Sequence, residues 1–146
     1  MIEINNRKAN YDYEILDTFE TGIVLTGTEI KSIRKGSVNL KDSYAIIRNN
    51  EIYILNMHIS HYEECNIFNH EETRTRKLLM HKKEIYKLRD KVDQLGYTLV
   101  PLKLYFKGNK VKILIGLAKG KKTFDKRESI KKKDIERDVQ KQLKNY

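Results

Sequence analysis

The sequence predicts a mainly β protein with two or three helices, in which about six antiparallel strands form a barrel that is followed by a basic tail. Three observations predict it: strand-like segments joined by two-residue turns, two segments with helical spacing, and an apolar pattern that fades after Ala118. The chain has 146 residues and 39% apolar content, which suffices for one modest core. We therefore expect one domain over residues 1–118 and a tail over 119–146.

The first predicted elements are a strand and a short helix. From Tyr13 to Leu25, β-branched and aromatic residues alternate with polar ones, and Gly22 predicts a bulge or bend within that strand. The following segment GTEIKSIRKG changes to helical spacing. Thr28 is its predicted N-cap, and Gly36 is predicted to end the helix in the left-handed conformation.

A hairpin and a longer helix follow. The segment SYAIIRNNEIYILNMHI predicts two strands joined at Asn49 and Asn50, because asparagine tolerates the positive φ of a tight turn. Residues 81–95 place apolar side chains at helical spacing, and Gly96 predicts the end of that helix.

A second hairpin is predicted after this helix. The segments YTLVPLKLYF and KVKILIGLA flank Gly108 and Asn109, which form a two-residue turn signal. Pro101 predicts that its strand lies at an edge or contains a bulge, because proline cannot donate to the ladder. Strands and helices in this order, in a domain this small, are best buried as a barrel similar to the oligonucleotide-binding fold.

The tail combines high charge with little apolar surface. Residues 119–146 carry 11 basic and 5 acidic side chains, which is +6 of the net charge of +10. Ile135, Val139 and Leu143 form a thin stripe at four-residue spacing. Because such a stripe cannot offset chain entropy, we expect a disordered or weakly helical segment until a partner orders it.

The charge balance favours a polyanionic partner. The chain has 30 Lys and Arg against 20 Asp and Glu, and a pI near 9.6. One basic cluster alone is typical of a solvated face, but several with interleaved tyrosines favour RNA or DNA binding. Single strands and a folded RNA both remain open as ligands. The clusters are Arg7 and Lys8; Arg74, Arg76 and Lys77; Lys107, Lys110 and Lys112; and Lys119, Lys121 and Lys122.

Catalytic and metal chemistry have little support in the sequence. The acids are scattered among Lys and Arg, and no phosphate-binding loop motif occurs, so we assign no catalytic residue and expect no cofactor and no enzyme activity. Four possible zinc ligands match no common finger spacing, so solvated loop histidines are the better interpretation. These residues are His58, His61, Cys65 and His70.

The expected location is the cytoplasm. A lone cysteine suits a reducing compartment. The N-terminal MIEINNRKAN shows no apolar signal core, and the run from Ile113 to Ala118 is too short to span a bilayer.

Several strings, in this order and spacing, resemble the SmpB family of proteins that bind transfer-messenger RNA (SsrA RNA), and together they cover nearly the whole chain. They are NRKA (6–9), FETGIVLTGTEIKSIRKGSVNLKDSY (19–44), TRTRKLL (73–79), GYTLVPLKLYFK (96–107), VKILIGLAKGKK (111–122) and DKR (125–127). The resemblance implies an adaptor that brings this RNA to stalled bacterial ribosomes in trans-translation. It also implies a monomer that meets elongation factor Tu only through the RNA.

The resemblance implies two sets of site residues. The barrel would bind the tRNA-like domain of the RNA near its elbow, through Asn6, Arg7, Lys8, Glu20, Arg74, Arg76, Lys77, Leu79, His81, Lys112, Lys119, Lys121 and Lys122. The tail would contact ribosomal RNA at the decoding centre and in the empty messenger channel, through Gly120, Phe124, Asp125, Lys126, Arg127, Lys131, Lys132, Lys133, Arg137 and Lys141.

Some of these assignments have alternatives within the sequence. Glu20 either accepts hydrogen bonds from a base edge or forms a salt bridge to a nearby Lys or Arg. Leu79 either contacts unstacked bases or belongs to the core. The chain departs from the family at Phe124 and His81, where many relatives carry His and Asn, and at His58, where Asn is common.

Overall fold

The computed structural model describes residues 3–62 and 69–120 of the chain. Within these ranges it contains nine strands and three helices, and no helix there is long and apolar enough to cross a membrane. The helices are α1 Arg7–Asp12, α2 Gly27–Arg34 and α3 Lys82–Leu95. The strands are β1 Glu3–Asn5, β2 Tyr13–Ile23, β3 Val38–Asn39, β4 Tyr44–Arg48, β5 Glu51–Leu55, β6 His58–Ile59, β7 Arg76–Leu79, β8 Thr98–Lys107 and β9 Lys110–Gly120.

Six strands pair in a closed antiparallel ring. The order is β8-β4-β5-β7-β2-β9, and β9 pairs with β8 to complete it. Strand β1 adds to β8, while β3 and β6 form a separate two-stranded ladder. The predicted mainly β fold of about six antiparallel strands with two or three helices is confirmed, and the ring is consistent with an oligonucleotide-binding type of barrel.

The core lies inside the ring. Alternate side chains of the ring strands are fully buried, and α2 and α3 add Ile33, Ile85 and Leu88 to the same cluster. Ring residues of this cluster include Ile52, Leu78, Leu99, Leu104, Ile113 and Ile115. The opposite faces of the same strands point away from this core.

The turn predictions are confirmed. Asn49 and Asn50 adopt φ values of 53° and 61° between β4 and β5, and Gly108 adopts 62° between β8 and β9. Gly96 ends α3 with φ 69°, and Gly36 follows α2 with φ 76°. Each is a position where positive φ is required, which glycine and asparagine tolerate best.

The structure differs from the predictions for α2 and β2 and agrees with the one for Pro101. The N-cap of α2 is Thr26, because Thr26 and Glu29 exchange side-chain and backbone hydrogen bonds in a capping box, an arrangement that Thr28 is too close to Glu29 to make. Strand β2 ends at Ile23, and its register shift lies between Ile15 and Asp17 instead of at Gly22. The bulge predicted at Pro101 is confirmed by a register shift between Pro101 and Lys103.

The short elements near the N-terminus have no clear sequence signal. Helix α1 has six residues and no side-chain cap, so its stability comes from packing. Its Ala9 is buried against Val100 of β8 and Ala118 of β9, in a cluster separate from the main core. Both of these strand residues face away from the main core, so α1 covers one end of the outer face of the ring.

The histidine prediction is wrong for His70. This side chain is only 7% exposed, with its ring nitrogens hydrogen-bonded to the Ile59 carbonyl at 2.8 Å and the Thr28 hydroxyl at 2.9 Å. His58 instead lies 3.0 Å from a carboxylate oxygen of Glu72. Cys65 lies outside the described residues, and within them no three potential ligands are placed to hold a metal ion.

A buried ion pair joins α2 to β7. The Glu29 carboxylate accepts from Arg76 Nε and, at 2.7 Å, from Arg74 Nη2. Arg76 also donates to the carbonyls of Met57, Glu71 and Glu72. Burial alone would raise the pKa of Glu29, but hydrogen bonds from Arg74, the Thr26 amide and Arg76 outweigh it, so the pKa lies below its ordinary value.

We predict that Glu29→Gln lowers the free energy of unfolding by about 3–5 kcal/mol at neutral pH, because it leaves the buried Arg76 charge unpaired. The depressed folded-state pKa means that the contribution of the carboxylate is present above the ordinary value of 4.5 and is lost as the pH falls through the folded-state pKa. Urea unfolding at a series of pH values from 7 to 3 should therefore show that the difference in the free energy of unfolding between wild type and Glu29→Gln becomes smaller below about pH 4.5. Glu51→Gln, which alters an exposed pair with Lys82, is the control, and an equal loss in both variants would contradict the prediction.

Candidate nucleic-acid interface

A groove on the outer face of the ring brings together residues that are far apart in the chain. Gly22 of β2 pairs with Leu79 of β7 on one side and with Lys112 of β9 on the other. Glu20 lies two residues before Gly22 on the same face of β2. We call this depression the outer groove; it is lined by Glu20, Gly22, Leu79, Met80, His81, Glu84 and Lys112. Four of the predicted RNA-binding residues therefore meet there.

Leu79 is a surface residue. Its side chain is 52% exposed, which excludes the core interpretation. An added Cβ at Gly22 would lie 3.3 Å from the Leu79 Cβ, so the absence of a side chain at Gly22 lets Leu79 lie close over β2. Leu79 and Lys112 also line a second depression beside the first, where Leu25, Ile30 and Val111 contribute an apolar wall. The leucine that covers Gly22 therefore offers an exposed apolar contact to a ligand.

Glu20 is held by two donors from β8. The Tyr105 hydroxyl donates to Glu20 Oε2, and Lys107 Nζ lies 3.2 Å from Oε1. The hydrogen bond from Tyr105, followed by that from Lys107 and by the charges of Lys107 and Lys112, lowers the pKa of Glu20 despite some desolvation. Burial and the hydrogen bond to Glu20 raise the pKa of Tyr105 to about 12. The salt bridge is therefore present, but its Lys107 and Glu20 side chains are 67% and 38% exposed, so Glu20 stays accessible.

Strand alternation divides the TRTRKLL motif. Arg76 is wrongly predicted to lie on an RNA-binding face, because its side chain is 0% exposed and bound to Glu29. Arg74 is one third exposed, and its guanidinium also donates to the Val24 carbonyl at 3.3 Å. Lys77 points outward and lies 3.5 Å from Glu51. The period of two along β7 separates Lys77 and Leu79 from Arg76.

The predicted residues at the N-terminus lie near α1. Asn6 is also corrected: it is buried and donates to the carbonyls of Pro101 at 2.9 Å and Leu40 at 3.4 Å, so it ties α1 to β8. Arg7 is exposed, and Lys8 lies 3.3 Å from Asp42.

This basic zone is distant from the outer groove. Lys119, at the exposed end of β9, is opposite Glu14 of β2, next to the end of α1. From Lys112 to Lys119, β9 rises by roughly 23 Å at the usual rise of a strand. The two zones therefore lie toward opposite ends of the same strands.

Gly120, which was predicted to contact the ribosome, is the last residue of β9. The other predicted residues lie outside the described ranges, and their contacts with either RNA stay predictions. They are Lys121, Lys122, Phe124, Asp125, Lys126, Arg127, Lys131, Lys132, Lys133, Arg137 and Lys141.

The sequence reading missed Tyr105 as a site residue. Lys103, Tyr105 and Lys107 lie at every second position and therefore on one face of β8, and this alternation could have indicated that Tyr105 is exposed beside two lysines. The partner strand could not be known, since Glu20 lies on β2, two strands away in the ring.

Comparisons with known proteins match nearly the whole chain to one family. The family model described as "SmpB protein" matches residues 3–145. An "SsrA-binding protein" from Staphylococcus aureus (strain Newman) is 59% identical over 139 residues, covering 95% of this chain and 90% of its own, and one from strain JH1 is 58% identical with the same coverage. A solved chain described as "tmRNA-SmpB: a journey to the center of the bacterial ribosome" has a TM-score of 0.70 and 46% identity, covering 94% of this chain and 96% of its own.

We predict that Tyr105→Phe raises the pKa of the Glu20 carboxyl toward its ordinary value of 4.5, because the hydrogen bond that lowers it most is removed. The measurement is a carboxyl-detected NMR titration of Glu20. Tyr86→Phe, which removes a hydroxyl from the exposed face of α3, should leave the titration unchanged. An identical Glu20 titration in wild type and Tyr105→Phe would show that the hydroxyl does not hold the carboxylate in solution.

Proposed function

The chain belongs to the SmpB family, and on that premise we propose that it binds transfer-messenger RNA and acts with it in trans-translation on the ribosome. The observation that carries the proposal is the outer groove, where Glu20, Leu79 and Lys112 from separate family strings meet on adjoining strands. Relatives named SsrA-binding proteins and a relative named with tmRNA and the bacterial ribosome support the same role.

The chemistry of the outer face suits a folded RNA. Lysines such as Lys112 and Lys107 attract phosphate and position the backbone, but they carry no base information. Glu20 repels phosphate and accepts hydrogen bonds from a base edge. The exposed Leu79 gives an unstacked base an apolar contact. A ligand that offers phosphates, an unpaired base edge and a base face together is a structured RNA with a loop.

We further propose a division of labour between two segments. Residues 1–118, together with Lys119, Lys121 and Lys122, bind the tRNA-like domain, and the rest of the segment 119–146 contacts ribosomal RNA at the decoding centre and in the empty messenger channel; the whole segment carries +6 of the net charge. A cationic segment gains phosphate contacts only when that channel is free, and these contacts offset the cost of ordering it. Binding without catalysis, a monomeric state, a cytoplasmic location and contact with elongation factor Tu through the RNA belong to the same proposal.

The test of function is a competition at one salt concentration between a transcribed tRNA-like domain and an unstructured RNA of equal length. We expect the full chain to prefer the folded RNA by at least about tenfold. Equal affinities would favour a generic single-strand binder, since stacking on exposed side chains tolerates any sequence and needs no RNA tertiary structure.

We predict that Glu20→Ala weakens binding of the folded RNA about tenfold although it adds positive charge, because the base-edge acceptor is lost. Glu14→Ala makes the same charge change on the same strand, away from the outer groove, and should leave binding unchanged or slightly tighter. Filter binding at matched salt measures both. Tighter binding by Glu20→Ala would mean that the carboxylate only repels the RNA.

We predict that a chain ending at Lys122 keeps most of its affinity for the folded RNA and loses tagging on stalled ribosomes. The reason is that the ring carries the RNA groove while the deleted residues carry the proposed ribosomal contacts. The two readouts are gel-shift binding and a reconstituted tagging assay. Loss of both activities together would contradict the division of labour.

A further inference from the structure

We propose that Tyr105 is a positioning residue that holds the Glu20 carboxylate so that the outer groove reads an unpaired base offering two neighbouring N–H donors, which in RNA is the Watson–Crick edge of guanine. The inference rests on the proposed RNA binding and names the element of the RNA that this site takes. It adds Tyr105 to the recognition residues and assigns Glu20 a partner.

The contact between Tyr105 and Glu20 crosses a strand. Strand β9 lies between β2 and β8, with Leu114 opposite Glu20 and Lys112 opposite Tyr105. The hydroxyl therefore reaches diagonally over β9 to the carboxylate. Lys103 Nζ lies 5.4 Å from the centre of the Tyr105 ring and packs over it. The orientation of Glu20 thus depends on three strands in register.

Both oxygens of Glu20 are engaged by β8, but neither is saturated. Among the residues that the structure describes, Tyr105 donates to Oε2 and Lys107 to Oε1, one donor for each oxygen. A carboxylate has about four acceptor positions, so each oxygen can accept a further hydrogen bond. Both donors come from the β8 side, whereas Leu79 and His81 line the groove on the β7 side. Two fixed acceptors are therefore presented to a ligand in the groove.

Two parallel acceptors select a particular ligand edge. Phosphate offers no N–H donor, and the negative carboxylate repels it. Among the four RNA bases only guanine carries two adjacent N–H donors on its Watson–Crick edge, from N1 and the N2 amino group. That edge is accessible only where the base is unpaired. The charges of Lys107 and Lys112 help to keep Glu20 ionised, and therefore an acceptor, at neutral pH.

The walls of the groove fit a base that approaches edge-on. Gly22 has no side chain, so the half-exposed Leu79 side chain lies close over β2 at the position that pairs with Lys112 of β9. A planar ring can rest on the leucine while its edge meets the carboxylate. Lys112 lines the same groove and supplies charge to the phosphate that follows.

The test uses the full chain and a transcribed tRNA-like domain in which guanosine is replaced at random by phosphorothioate-tagged inosine, which lacks the N2 amino group. Wild-type protein should reject inosine at one or a few guanosines. Glu20→Gln and Tyr105→Phe should lose that discrimination and bind the unmodified RNA about tenfold more weakly. Tyr86→Phe should keep both the affinity and the discrimination.

The double variant separates positioning from stability. If Tyr105 acts through Glu20, then Tyr105→Phe combined with Glu20→Gln should bind no more weakly than Glu20→Gln alone. Equal thermal unfolding midpoints of all variants exclude a general loss of fold. Retained affinity and inosine discrimination in Tyr105→Phe, or discrimination that does not depend on Glu20, would overturn this inference while leaving RNA binding in place. Loss of preference for folded RNA by the wild type would instead overturn the proposed function.

Discussion

The buried ion pair between Glu29 and Arg76 determines which side chains the ring presents to a partner. It fixes Arg76 inside, so the alternation along β7 places Lys77 and Leu79 outside, because a shift of one residue would exchange the two faces. The same carboxylate caps α2 and binds Arg74. A buried pair seldom adds net stability over apolar packing, but this one joins α2 to β7 with Arg76 on the inner face of the ring.

Pairing of β7, β2 and β9 in this register brings the residues of the outer groove together. Gly22, Leu79 and Lys112 come from three parts of the chain, yet they lie in one row across adjacent strands. Glu20 belongs to the same surface, and Tyr105 secures it from the far side of β9. Since no one of these strands can slide without breaking the row, the outer groove is formed before any ligand arrives. Such preorganisation reduces the ordering cost of binding.

The sequence predicted the elements whose signals are local. Asn49, Asn50 and Gly108 are turn residues with one strong conformational preference, and α3 shows its period over fourteen residues. Helix α1 was missed because six residues carry too little period, and it depends on packing of Ala9 against residues more than ninety positions away. Thr26 was missed as the N-cap because Thr28 carries the same hydroxyl two residues later, and only the reciprocal bond with Glu29 distinguishes the two threonines.

The sequence predicted several residues of the candidate site but not how they are arranged. The family strings indicated Glu20, Leu79 and Lys112, which line the outer groove. They also suggested that Arg74, Arg76 and Lys77 bind RNA together, but the two-residue period of β7 places Arg76 and Lys77 on opposite faces. Asn6, which was also predicted to bind RNA, is buried and donates hydrogen bonds to the carbonyls of Pro101 and Leu40. Tyr105 could not be paired with Glu20 from sequence, because that pairing needs the order of β2, β9 and β8.

The most direct measurement is an NMR map of the isotopically labelled full chain, with and without the tRNA-like RNA domain. We expect the largest shift changes at Gly22, Leu79 and Lys112 and at the side chains of Glu20 and Tyr105, while the Arg76 guanidinium signals stay protected from solvent. Changes concentrated on the outer side of α3, with the groove signals unmoved, would contradict it.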